Sequence, residues 1–178
     1  MARINRSQRP DPYLQDWLTD TSSLTARLIN FSNGHFKVQV VRQFIGIPRL
    51  DERRVLGMRQ PTLALIREVI LCGRDEPWVF ARSLLPLTSL TGRLRHLRKQ
   101  GARPLGAFLF SQPQITRSAI AVARISRDHA YVPAALAGTA PLWGRRSVFT
   151  LQQLSCRQKP LLVSEVFLPA FVARLARD

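Results

Sequence analysis

The chain has 178 residues, 46% of them hydrophobic, which suits one globular domain with a real core. No apolar run approaches the roughly 18 residues of a membrane helix. Two cysteines are too few for a disulfide framework or a zinc site, so Cys72 and Cys156 read as reduced packing thiols. The start, MARINRSQRPDPY, is basic but has no apolar stretch behind it. It does not read as a secretory leader, and the expected location is cytoplasmic.

A net charge of +16 comes from 27 basic residues, nearly all Arg, against 11 acidic ones. Such a balance suits nucleic acid, an anionic membrane surface or a small anionic substrate. A genomic preference for Arg explains the excess equally well. The basic residues are spread along the chain with no dense cluster or basic amphipathic helix, which weakens the first two readings. Specific nucleic-acid binding and membrane insertion are not expected.

In chain order, residues 1–12 are polar and loosely held. Asp11 and Pro12 open a helix carrying Leu14, Trp17 and Leu18, and Thr21 to Ser23 offer caps for a second around LTARLINF. After the Asn33-Gly34 turn, FKVQV alternates as a strand that can run to Ile47. Residues 48–60 read as irregular. TLALIREVILC (62–72) and WVFARSLLP (78–86) read as a hairpin about Gly73–Pro77. LRHLRKQ reads as a polar helix stopping at Gly101, and PLGAFLF (104–110) as a short helix or turn. SAIAVARIS (118–126) is a strand, residues 127–141 a loop, and RRSVFTL (145–151) and LLVSEVFL (161–168) are strands joined through LSCRQKP. The tail AFVARLARD forms a helical turn. Hairpin-linked strands with helices at the front and middle define an α+β domain on an antiparallel sheet, expected to cover 1–178 as one unit.

The chain carries no phosphate loop, dinucleotide fingerprint, metalloprotease pair or nucleophile elbow. His35, His96 and His129 are far apart and read as solvated, so no metal site is expected. Two charged residues stand out by their surroundings. Arg67 lies within LALIREVIL on the face of Leu65 and Val69, with Glu68 on the opposite face. Glu165 lies within LLVSEVFL on the face of Val163 and Phe167. Charge inside an apolar strand is costly unless paired or hydrogen-bonded. One reading makes Arg67 and Glu165 a buried ion pair, or residues of wetted edges. The other makes them a ligand grip. The guanidinium fork matches a carboxylate, and a carboxyl among apolar groups is kept neutral and able to donate.

The segments REVILCGRDEPWVFARSLLP, PLGAFLF, LWGRRS and KPLLVSEVFLPA, preceded by DWL (16–18) and SLT (23–25), together resemble the chorismate lyase family. The resemblance covers about Asp16 to Ala170. It implies an antiparallel sheet of about six strands, helices packed on it and helical flaps over an enclosed ligand. It implies a cofactor-free lyase that splits chorismate into 4-hydroxybenzoate and pyruvate, typically for ubiquinone synthesis, and a monomer is expected. Substrate-binding positions carry over to Arg67, Glu165, Leu24 and Leu105, the two leucines through their main chains. Arg67 and Glu165 are also the catalytic pair. Residues 127–141 look like an insertion relative to shorter members.

In that reading Arg67 holds the ring carboxylate and Glu165 meets the ring hydroxyl. Either Glu165 donates a proton or the hydrogen passes within the substrate. Arg82 and Arg145 or Arg146 are candidates for the second carboxylate. The alternative is a non-catalytic small-molecule-binding domain, similar in fold to effector domains of bacterial regulators. The roughly fifteen residues before the first motif are too few for a DNA-binding domain.

Overall fold

Seven strands form one antiparallel sheet in the order β1-β2-β3-β7-β6-β4, with β5 also paired to β6. They are β1 Phe36–Gly46, β2 Ala64–Gly73, β3 Glu76–Pro86, β4 Ile115–Arg117, β5 Ala121–Ile125, β6 Leu142–Leu151 and β7 Lys159–Phe167. The computed structural model describes residues 9–126, 132–152 and 158–177, without the side chain at position 93. Most of the expected loose N-terminus, His129, Cys156 and the core of the LSCRQKP connection fall outside the described residues, as does the start of the 127–141 loop.

β2 is buried along its whole length because β1 and β3 flank it and both of its faces are covered. Its apolar residues on both faces, interrupted by Arg67 and Glu68, follow from that position. The front face, which carries Arg67, is covered by helices α1 (Pro12–Thr19), α2 (Leu24–Phe31), α4 (Leu105–Ser111) and α6 (Pro169–Leu175) and by a 3-10 helix, Gly92–Lys99. Two apolar clusters sit there. One packs Trp17, Leu18, Leu28 and Phe171 onto Val69, Trp78 and Phe167. The other packs Leu94, Leu97, Leu105 and Leu109 onto Leu65, Leu85 and Phe149. Between them lies a polar strip of the same face. On the back, Leu56 after α3 (Leu50–Val55) packs on Ile66, Leu84 and Leu162, while Val132 and α5 (Ala134–Ala137) meet Ile70, Phe80 and Val166.

Three expectations change. Residues 48–60 are not irregular throughout: α3 forms because the Glu52 carboxylate accepts from the Arg49 N–H at 2.9 Å and Leu56 is buried. Six residues are too few for a visible helical period. LRHLRKQ is a 3-10 helix, and it is not polar all round, since Leu94 and Leu97 are each 1% exposed. The sheet has seven strands, the three-residue β4 having no apolar run to betray it.

The β2–β3 hairpin decides which charges share a face. Its two turn residues, Arg74 and Asp75, have φ of 50° and 64°, the signature of a turn matched to strand twist. Gly73 must be glycine, because a Cβ there would lie 2.0 Å from the Trp78 ring. The register then shifts between Leu71 and Cys72, leaving Trp78 as an extra residue on β3. This bulge sets Ser83 opposite Arg67 and Arg82 opposite Glu68.

Candidate active site

Arg67 and Glu165 point to the same side of the sheet. Ser83 links them: it pairs with Arg67 on one side and with Val163, two residues before Glu165, on the other. Two inter-strand steps and a two-residue offset put their Cα atoms about 12 Å apart. Side chains reaching inward from such positions bracket a group the size of a substituted six-membered ring.

Both line a cavity under α2 and α4. Leu24 and Leu105 line it too, each the first residue of its helix, where the backbone N–H has no intrahelical acceptor. Apolar walls come from Val69, Leu71, Leu109, Phe149 and Val163. α2 and α4 meet closely at Gly106, where a Cβ would lie 3.0 Å from the Thr25 hydroxyl.

Arg67 is 3% exposed. Its Nη2 donates to the carbonyls of Gly101 (2.8 Å) and Arg103 (3.2 Å), and its Nε has no partner. No carboxylate pairs with it among the described residues, and burial pulls its pKa below the ordinary arginine value. An uncompensated buried cation costs stability, and it becomes an anion receptor when it faces a cavity.

Glu165 does not pair with Arg67. Its Oε2 accepts from Arg145 Nε at 2.7 Å, so the buried ion pair exists with a different arginine. Arg145 also donates to the carbonyls of Trp17 (2.8 Å) and Asp20 (2.7 Å). The carboxyl group therefore accepts from a guanidinium and is not surrounded by apolar groups alone.

Of the arginines considered for a second anion, only Arg145 lines this cavity. Arg82 and Arg146 are on the back face. Arg82 donates to Glu52 Oε1 at 2.7 Å and to Glu68, and Arg146 meets Asp51 at 3.2 Å. Bulge and strand parity place them there. A further cation, Arg117 of β4, reaches the cavity unannounced. It donates to the Ser147 hydroxyl at 3.0 Å and the Thr21 carbonyl at 3.0 Å, and lies 5.3 Å from the Phe149 ring centroid. Burial, and then the neighbouring charge of Arg145, hold its pKa below the usual value.

The site thus holds three guanidinium groups, Arg67, Arg117 and Arg145, around one carboxylate. Nearby Asp20 is already engaged by Arg27 at 2.9 Å and by the Ser22 N–H. Two positive charges are left for a ligand. No cluster of histidine, cysteine or carboxylate groups able to hold a metal occurs among the described residues.

An antiparallel sheet with a small cationic cavity under two short helices defines an α+β domain with a candidate ligand site. Solved structures share this fold. A GntR-family transcriptional regulator from Bacillus cereus aligns with a TM-score of 0.56 at 12% identity, over 76% of this chain and 93% of that one. The C-terminal domain of a histidine utilization repressor from Pseudomonas syringae pv. tomato gives 0.54 at 13%, over 76% and 92%. At such identities the likeness is one of fold alone. Sequence is more specific. The model of the family described as chorismate lyase matches residues 3–176. A probable chorismate pyruvate-lyase of Azoarcus sp. (strain BH72) is 50% identical over 167 residues, covering 89% of this chain and 85% of that protein. One from Aromatoleum aromaticum is 44% identical over 177 residues, covering 95% and 92%. The chain belongs to the chorismate lyase family.

Proposed function

We propose that the protein is a chorismate pyruvate-lyase, acting as a cofactor-independent cytoplasmic monomer of one domain and supplying 4-hydroxybenzoate for ubiquinone synthesis. The observation that carries the reading is the two-charge surplus in the cavity. Chorismate has two carboxylates, a ring and a ring hydroxyl, and the cavity offers two uncompensated cations, apolar walls and one acceptor carboxylate.

Arg67 takes the ring carboxylate through its unpartnered side, helped by the main chains of Leu24 and Leu105. Glu165, held by Arg145, accepts the hydrogen bond of the ring hydroxyl. Arg117 faces the enolpyruvyl carboxylate. In the reaction the bond from the ring to the enolpyruvyl oxygen breaks and the ring carbon bearing the hydroxyl loses its hydrogen. The ring becomes aromatic, and that hydrogen ends on pyruvate. The ion pair at Glu165 favours transfer within the substrate over proton donation by this side chain. Orientation in a water-poor cavity, with charge stabilisation of the departing pyruvate, supplies the acceleration.

Incubating the purified protein with chorismate alone tests the activity. Equal amounts of 4-hydroxybenzoate and pyruvate are expected. Ligand binding without turnover would leave a non-catalytic ligand-binding domain of the same fold.

A further inference from the structure

Eight of the twelve large apolar side chains exposed among the described residues lie between positions 40 and 63. Six of them, Val40, Val41, Phe44, Ile45, Ile47 and Leu63, lie on β1 or beside its end, at one edge of the sheet. β1 is an edge strand, and its last pairs are Ile45 with Leu65 and Gly46 with Ala64, so Ile47 and Leu63 project just beyond the paired region. Ile45 is 58% exposed, Ile47 57%, Leu50 55% and Leu63 50%. On the same strand Val41, the extra residue of a bulge, is also exposed, and Phe44, opposite Ile66, is exposed on the other face of this edge. Apolar side chains exposed together along one sheet edge mark an interaction surface.

Cations border the strip on both sides. Exposed Arg54 and Arg59 belong to the α3 segment on the back. Exposed Arg95, Arg98 and Lys99 belong to the 3-10 helix on the front, which is tied to β1 where the Gln43 amide donates to the Arg98 carbonyl at 3.1 Å. None of these five cations forms an ion pair among the described residues. The carboxylates near them are engaged elsewhere: Asp51 with Arg146, Glu52 with Arg82. From Pro77 to Arg127 the chain contains no acidic residue.

We propose that this edge docks on an anionic phospholipid bilayer. The aliphatic side chains enter the boundary between headgroups and acyl chains while the arginines face lipid phosphates. No helix is long and apolar enough to cross a membrane, so the contact is peripheral. A second copy fits less well: each chain carries +16, and Arg42 and the bulge at Val41 blunt the strand for edge-to-edge pairing. A nucleic acid would use the cations but gain nothing from the aliphatic strip between them.

Sedimentation with vesicles tests the proposal independently of the lyase reading. The protein is expected to partition at least about tenfold better onto phosphatidylcholine vesicles containing about 30 mol% phosphatidylglycerol than onto phosphatidylcholine alone. Replacing Ile45→Ser and Ile47→Ser together should lower that partition about tenfold. Circular dichroism and thermal unfolding should stay unchanged, since both side chains are mostly exposed. A second variant, Arg54→Ala with Arg98→Ala, should also weaken it and flatten its salt dependence. Failure to bind anionic vesicles at low salt overturns the proposal. So does undiminished binding of the serine variant, which would mean non-specific attraction by net charge alone. A dimer in light scattering that the serine changes dissociate would assign the strip to a second copy instead.

Discussion

Two clusters of buried charge lie on opposite faces of one sheet, and they differ in their balance. On the back, Glu52 and Glu68 are 0% and 3% exposed and are matched by Arg82 and Arg42. Every carboxylate there has a guanidinium, and α3 is capped through the same Glu52. On the front, Arg67, Arg117 and Arg145 share Glu165 alone, and a cavity opens among them. The back cluster completes itself, while the front one needs an anion from outside. Burial of charge in a strand therefore does not identify a site. An unbalanced charge facing empty space does.

The largest expected effect lies at the front. Arg67→Ala should lower kcat/KM for chorismate roughly a thousandfold, the cost of removing one member of a buried charge pair with a ligand. The melting temperature should hold or rise, because a buried cation without a protein counter-ion is removed. Normal turnover in this variant would sink the proposed grip. Arg82→Ala should do the reverse. Glu52 and Glu68 would lose their buried partner, at a cost of about 3–5 kcal/mol. For a chain of this size the melting temperature should fall roughly 10 °C, with kcat/KM per folded molecule nearly kept. If calorimetry shows no shift and turnover is lost, Arg82 belongs with the substrate and the two faces are not separate.

Glu165→Gln probes the front with a smaller change. It keeps a hydrogen-bonding group but removes the acid and the charge partner of Arg145, and kcat should drop about tenfold to a hundredfold. A variant retaining activity excludes proton donation by this residue, whereas complete loss would revive it. Arg117→Lys keeps charge but loses the planar fork. KM should rise about tenfold with kcat little changed, if the residue binds the second carboxylate in ground and transition states alike. Steady-state kinetics distinguish this from a positioning role through Thr21, which would lower kcat as well.

Arg67 and Glu165 could be picked out in the sequence because each interrupts an apolar strand, and alternation gave the face each takes within its own strand, with Glu68 opposite Arg67. Register could not be read so far. An unbulged two-residue hairpin would set Arg82 opposite Arg67, on the site side. The extra residue Trp78 moves Arg82 opposite Glu68 and so out of the cavity. Nothing local marks that bulge, since the indole is held by packing over Gly73. Arg117 was hidden for another reason. Its strand is three residues long, and only pairing with Phe149 turns the side chain inward. The identity of Glu165's partner depended on the same long-range pairing, Arg145 lying opposite it on β6. The run of alternating strands predicted the sheet, but a six-residue helix with four charged residues gave no period to read.

Acid should separate the clusters with the smallest effect. Burial alone would raise the Glu68 carboxyl, but hydrogen bonds and charge from Arg42 and Arg82 outweigh it and leave it below the ordinary value of 4.5. A depressed carboxylate contributes its full stability above the unfolded value and loses it as pH falls through the folded one. Stability to urea should therefore be level near neutral pH and decline below about pH 4. Glu68→Gln should be less stable at pH 7 yet lose less between pH 5 and 3, values chosen to bracket the ordinary glutamate range. Burial lowers the front arginines, Arg67 and Arg117, but an arginine stays protonated throughout this range, so their charge is unchanged by acid. If Glu68→Gln declined as steeply with acid as the parent, the back cluster would not be the group that acid undoes.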